Sequence, residues 1–209
     1  MKTRFIALIF VMQLAICSSG CLSQAPASPI QQTQQIPLSD TLPTPGSTSA
    51  TVSPGSMALQ LSDIPPDYLL RDRTVIAYSE VSQLARDLGW QQGYRASFYR
   101  MNREKDDITG ILQSISVYPP ENIDKVYSID KEEILSGKNG TTQHEIPFPA
   151  IGDQSIAFRE TRILDHRELA VYTVIFTKKN VFETITMGGT TTDYEMLKDM
   201  ARKATDKIQ

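Results

Sequence analysis

From Met57 onward apolar side chains recur at two spacings, one near 3.6 residues and one of 2, and the switches between them mark the elements. Val81, Leu84, Ala85 and Leu88 fall at i, i+3, i+4 and i+7, which predicts a helix over 79–89 with Gly89 closing it. In 94–101, Tyr94, Ala96 and Phe98 alternate with polar residues, the pattern of a half-buried strand. Residues 110–118 (GILQSISVY) form the next strand, and the charged stretch NREKDD between the two makes them a hairpin. Pro119-Pro120 ends that strand and opens a helix to about Leu135, with SGKNGTTQ as the loop after it. Strands are expected at 154–163, 169–177 and 181–187, the last two joined by a short turn at Lys179-Asn180. Thr192-Asp193-Tyr194-Glu195 has capping-box spacing, Thr at the N-cap and Glu at N3. The helix it starts puts Tyr194, Leu197, Ala201, Ala204 and Ile208 on one face. With a first strand in SDIPPDYLLRDR, the order is β-α-β-β-α-β-β-β-α. Strands that arrive in consecutive antiparallel runs predict an α+β fold, an antiparallel sheet with helices packed on it, as a single domain over 57–209.

The first 56 residues follow neither period. Lys2 and Arg4 precede the apolar run FIALIFVMQLAIC (5–17), and the small residues SSG lead to Cys21. This layout is that of an export signal over 1–20. Thirteen residues reach about 20 Å as a helix, short of a hydrocarbon core about 30 Å thick. The segment resembles a prokaryotic lipoprotein signal, in which a small residue precedes a lipid-modified cysteine. Gly20 fits that position, whereas Ser18 departs from the aliphatic residue usual three positions before the cysteine. Cys17 follows Ile16 and fits less well. Cys21 is therefore the expected lipid attachment point, with palmitate-type acyl chains that each add about 0.8 kcal/mol per buried methylene. An uncleaved helical anchor and ordinary secretion are the alternatives.

Residues 21–56 change composition. From Ser23 to Ser56 the chain is rich in Pro, Ser, Thr and Gln, with Asp40 as its one charge and no aromatic residue. Too little apolar surface is present to offset the entropy of ordering, so a disordered tether is expected here.

Charge then narrows the partners. Lys2 and Arg4 are the only charges in residues 1–20, and the remaining 19 basic side chains face 24 acidic ones without forming a basic stripe. A nucleic-acid surface is not expected. No cysteine follows Cys21, which removes disulfides and thiolate metal sites from the domain. The two histidines, His144 beside Glu145 and His166 beside Asp165, sit in loop-like contexts without metal-ligand spacing. Ser155 in GDQSIA lacks the second glycine of a nucleophile elbow. MGGTTTDYE (187–195) offers backbone N–H groups to an anion at a helix start, or simply two glycines turning the chain. No catalytic residue, cofactor or metal ligand is expected. Trp90, Tyr94 and Tyr99 are candidate binding-surface aromatics, with core packing as the alternative for Trp90. Asn139-Gly140-Thr141 is a sequon, which makes Asn139 a candidate glycosylation site.

IGDQSIAFR (151–159), then AVYTVIFTKKNVFETITM and a closing helix, together with GWQQGYRASFYR (89–100), resemble a diffuse group of extracytoplasmic prokaryotic domains. The group includes actinobacterial surface lipoproteins and extracellular sensor domains of membrane kinases, with the PsbP-like sandwich as a fold analogy. The resemblance implies a domain on the outer side of a cell membrane that binds a protein or small-molecule ligand, as a sensor, adaptor or envelope component. A small extracytoplasmic hydrolase and a purely structural envelope protein are the alternatives.

Overall fold

The computed structural model describes residues 53–137, 143–164 and 166–209. The Cys21 and Asn139 assignments and residues 1–52 lie outside these. Among the described residues, seven strands form one sheet, antiparallel throughout, in the order β1-β2-β3-β7-β6-β5-β4. They are β1 (Leu69–Val75), β2 (Gln92–Asn102), β3 (Asp107–Val117), β4 (Gln143–Ile146), β5 (Gln154–Leu164), β6 (Arg167–Lys178) and β7 (Val181–Gly189). Four helices accompany them: α1 (Pro54–Met57), α2 (Gln83–Asp87), α3 (Ile123–Leu135) and α4 (Tyr194–Lys207). The α+β class is as the consecutive strands predict.

The sheet carries a layer on each face. On one, Ala96, Phe98, Ile111, Ile115, Val174, Phe176, Ile185 and Met187 pack against α4 and against the chain from Met57 to Tyr68. On the other, Ile156, Phe158, Ile175 and Phe182 pack against Val81, Leu88, Trp90, Ile123, Val126 and Tyr127 of the α2 and α3 side. Strand β6 therefore reads VIF with all three side chains buried, because it is covered on both sides.

Several elements depart from the sequence pattern. The helix expected over 79–89 is broken into a single 3-10 turn (Tyr78–Glu80) and the short α2. Val81 is extended between them, and the Ser82 hydroxyl caps α2 by accepting from the Ala85 N–H at 3.2 Å. Leu84 is thus 48% exposed while Val81 and Leu88 are buried. Gly89 closes the helix in the left-handed region, at φ +81°. The last helix is capped by Asp193 rather than Thr192, its carboxylate accepting from the Met196 N–H at 3.1 Å. The end of the SGKNGTTQ stretch and the residues after it form β4, so His144 lies in a strand. Folded structure also begins before Met57: Pro54 is buried in α1, and Gly55 packs under the Tyr94 ring.

Two further details shape the edges of the sheet. The Gly152-Asp153 turn docks on the β6–β7 hairpin, where Asp153 N–H donates to the Thr177 carbonyl at 2.7 Å and its carboxylate accepts from the Lys179 N–H at 2.6 Å. Gly152 has φ +59°, and a Cβ there would meet that carbonyl oxygen at 2.1 Å. The edge strand β1 carries a register shift between Leu70 and Asp72.

Candidate ligand-binding face

The short α2 and the thirteen-residue α3 cover only one end of their face. Beyond the covered end, register places two rows of cross-strand neighbours on the open part of the sheet. One runs Ser97, Leu112, Thr186 and Thr173 and ends at Phe158, buried under the α2–α3 side; the next runs Tyr99, Gly110 and Gly188 and ends at Val171 and Glu160, both buried. Ser97, Tyr99, Leu112, Thr173 and Thr186 are half-buried, and the Thr173 and Thr186 hydroxyls are hydrogen-bonded at 3.2 Å.

Gly110 and Gly188 face each other in the middle of this surface and leave a strip of bare backbone. Glycine in a strand interior is destabilising by roughly 0.5–1 kcal/mol relative to Ala, so packing would have to require it. At Gly110 it does not: a Cβ would meet only the Gly188 carbonyl oxygen, at 3.9 Å, in ordinary contact. Such a glycine marks a place where something approaches the backbone closely.

The flanks differ in chemistry. On the β1 side, Leu69 stands opposite Tyr99, and both Leu69 and Met101 are exposed. On the β5 side, Glu160 is 3% exposed and takes both Nε and Nη2 of Arg162, which neutralises that guanidinium. At the far end of the sheet the hairpin tips meet, Arg167 pairing with the Asp106 carboxylate and donating to its carbonyl at 3.1 Å. The surface thus offers hydroxyls, a neutralised ion pair, one aromatic ring and a flat glycine floor.

A separate cavity of about 490 Å³ opens at the β4 edge, lined by Glu145, Ile146, Pro147, Phe148, Ser155 and Ile156. Nearby, one carboxyl of α3 and two tyrosines on or just before that helix are perturbed. Burial and then the Glu133 carboxylate push Asp130 up to about 6. Burial and then Asp130 push Tyr118 up to about 12, and burial with Glu145 raises Tyr127. The hydroxyl in the cavity lining is that of Ser155, and no group of three or more metal-ligating side chains occurs among the described residues.

The three candidate aromatics and the two histidines separate in space. Trp90 is 9% exposed, packed with the α2–α3 layer, and its indole N–H donates to the Ser116 hydroxyl at 3.2 Å. Tyr94 points to the opposite face, against Gly55 and the α4 core. Tyr99 alone of the three lies on the open strip. His144 pairs in register with Arg159, while His166 forms the β5–β6 turn at φ +63°. Five strand residues separate Arg159 from that turn, roughly 17 Å, so the two imidazoles do not converge. The Ser155 hydroxyl accepts from the Ile151 N–H at 3.1 Å and serves the turn. Gly188 and Gly189 are the last residues of β7 rather than a turn, and Gly189 passes so close to β3 that a Cβ would lie 2.1 Å from the Ile108 carbonyl oxygen.

Gly110 is absent from the candidates that motif and composition single out, and Gly188 enters only within MGGTTTDYE, although the signal of the pair is present: both glycines lie inside strands.

No known family model matches the chain, and no curated protein matches it in sequence. In fold it is similar to the extracellular domain of PknH from Mycobacterium tuberculosis, with a TM-score of 0.55 at 9% identity, covering 73% of this chain and 92% of that one. An uncharacterised protein from Mycobacterium smegmatis overlaps with a TM-score of 0.44 at 12% identity, covering 74% and 95% of the two chains. At these identities the likeness is one of fold.

Proposed function

We propose that this protein is an extracytoplasmic ligand-binding domain, held at a membrane through a lipid on Cys21, whose recognition surface is the open strip over Gly110 and Gly188. The observation that carries the binding surface is Gly110, a strand-interior glycine at which a Cβ would make only one ordinary contact, at 3.9 Å. The export-like N-terminus and the fold shared with an extracellular domain support the location. We read the chemistry as holding rather than turnover, since the Ser155 hydroxyl beside α3 is engaged by the Ile151 N–H and the histidines stand apart. The ligand that fits is a small neutral one with a flat apolar face and hydrogen-bonding edges. Its face lies on the glycine floor beside Tyr99, and its edges meet the hydroxyls of Ser97, Thr173 and Thr186.

Two measurements test this. NMR titration of the full chain in detergent with a panel of neutral mono- and oligosaccharides is expected to perturb the amides of Gly110, Gly188 and Tyr99. Gly110→Val then fills the floor and is expected to weaken binding at least about tenfold, or 1.4 kcal/mol. A binder that maps to the α4 face, or that binds Gly110→Val as tightly as the native chain, would remove the strip from consideration. For the anchor, Cys21→Ser is expected to move the protein out of the membrane fraction while Cys17→Ser leaves it there. Retention of Cys21→Ser with an intact N-terminus would establish the uncleaved helix instead.

A further inference from the structure

Leu59 is strapped to the sheet by side chains. Its N–H donates to Gln113 Oε1 at 2.8 Å, and its carbonyl accepts from the Arg73 guanidinium, which also donates to Gln60 Oε1 at 2.8 Å. Arg73, Ala96 and Gln113 stand opposite one another on β1, β2 and β3. The chain at Ala58–Leu59 therefore passes over the smallest side chain of the row, and both residues are fully buried. Because Gln113 must present its oxygen to the Leu59 N–H, its amide NH₂ is turned the other way. There it donates to Glu183 Oε1 at 2.6 Å. Glu183 is completely buried, and its second oxygen has no partner.

We propose that Glu183 and Gln113 form a proton-operated lock on the Ala58–Leu59 strap, seated while Glu183 is neutral and released when it ionises. A buried carboxylate with one bare oxygen must gain water or lose its charge. Two elements cover Glu183 on this face. Helix α4 is fourteen residues long and sinks Leu197, Met200, Ala201 and Ala204 into the core. The strap is short, and Gln113 holds it directly, so it is the element that opens first. The charged groups facing the site do not compensate. Arg73 is committed to Leu59 and Gln60, Lys178 of β6 donates to the Thr205 carbonyl at 2.9 Å, and the buried positions of α4 carry no charge. The Gln113 bond opposes burial only in part, and the Glu183 carboxyl is pushed from 4.5 up to about 8.

Proton linkage sets the direction of the response. Between pH 4.5 and about 8 the folded chain holds a proton that the unfolded chain has lost, so the seated state is favoured at low pH and weakens as pH rises. The strap directly follows α1, so the lock couples pH to the start of the described domain.

The test is hydrogen exchange of the full chain in detergent from pH 6 to pH 9, read as protection factors. Protection at Ala58 and Leu59 is expected to fall as pH rises from 6 to about 8, by up to about tenfold per pH unit, and to level off above it, while α4 keeps its own. Glu183→Gln, which is neutral at every pH, is expected to abolish the change, and a ¹³C-carboxyl titration of the native chain follows Glu183 directly. Constant protection at Leu59, a change that persists in Glu183→Gln, a loss shared equally by strap and α4, or a Glu183 carboxyl that titrates in the ordinary acid range would each overturn the lock.

Discussion

Gly189→Ala is expected to lower stability by at least about 3 kcal/mol, the upper end for overpacking a well-filled site. The added Cβ would lie 2.1 Å from the Ile108 carbonyl oxygen and 2.7 Å from Thr109 Cα, both backbone atoms that no rotamer change moves. Relief requires β3 and β7 to part where the Thr190 N–H donates to that same carbonyl at 2.9 Å. Denaturant unfolding should show a lower midpoint with an unchanged slope. Gly110→Ala, one pair away on the same two strands, is expected to stay within about 1 kcal/mol of the native chain, because its Cβ makes only an ordinary contact, 3.9 Å from the Gly188 carbonyl oxygen. Equal losses at the two positions would mean that the strands relax together and that Gly110 carries no special information.

The second large effect is in the other layer. Phe158 is fully buried between β5 and the α2–α3 side, and its removal leaves a hole that two short helices cannot close from both directions. Phe158→Ala is expected to lose about 3–5 kcal/mol, a large share of the roughly 5–15 kcal/mol that holds a domain of ordinary stability. Trp90 belongs to the same cluster, so its fluorescence should shift red and α3 should lose exchange protection. Leu59 and α4 pack on the far face and should keep theirs under conditions where the variant is folded. Simultaneous loss on both faces in the folded variant would show that the sheet transmits the defect.

Strands with one or both faces buried are legible because a period of two, or a continuous apolar run, survives in the letters. VFETITM and GILQSISV each mark a strand without any structure. The same letters hold a subtler signal. Gln113 is in phase with Ile111 and Ile115, and Glu183 with Val181 and Ile185, so both polar residues sit at core parity. A polar group on the buried phase needs a partner, and two such groups on adjacent strands announce each other once the sheet order is known. Strand β4 is not legible, since His144 and Glu145 are both exposed and four residues leave no period to count. Helix α2 is shorter than its periodicity predicts because tertiary contacts, absent from the letters, draw Val81 and Leu88 inward and leave Leu84 out. The glycines of the open strip stand in the sequence, but which strands flank them depends on a sheet order in which β7 inserts beside β3.

The irregular first strand bears on how such molecules live side by side. If the chain is held at a membrane as proposed, its copies share a plane, where local concentrations are high and the free border of a sheet invites a neighbouring copy to add its own. Here that border shows Leu69, Leu70 and Val75, 56%, 41% and 69% exposed, which would favour such stacking. Between them stand Arg71, Asp72 and Arg73, and the slip in pairing after Leu70 breaks the straight run of backbone donors and acceptors that a visitor would have to match. Arg73 is further tied inward to Leu59 and Gln60. The β1 border is thereby a poor template for a second copy to extend.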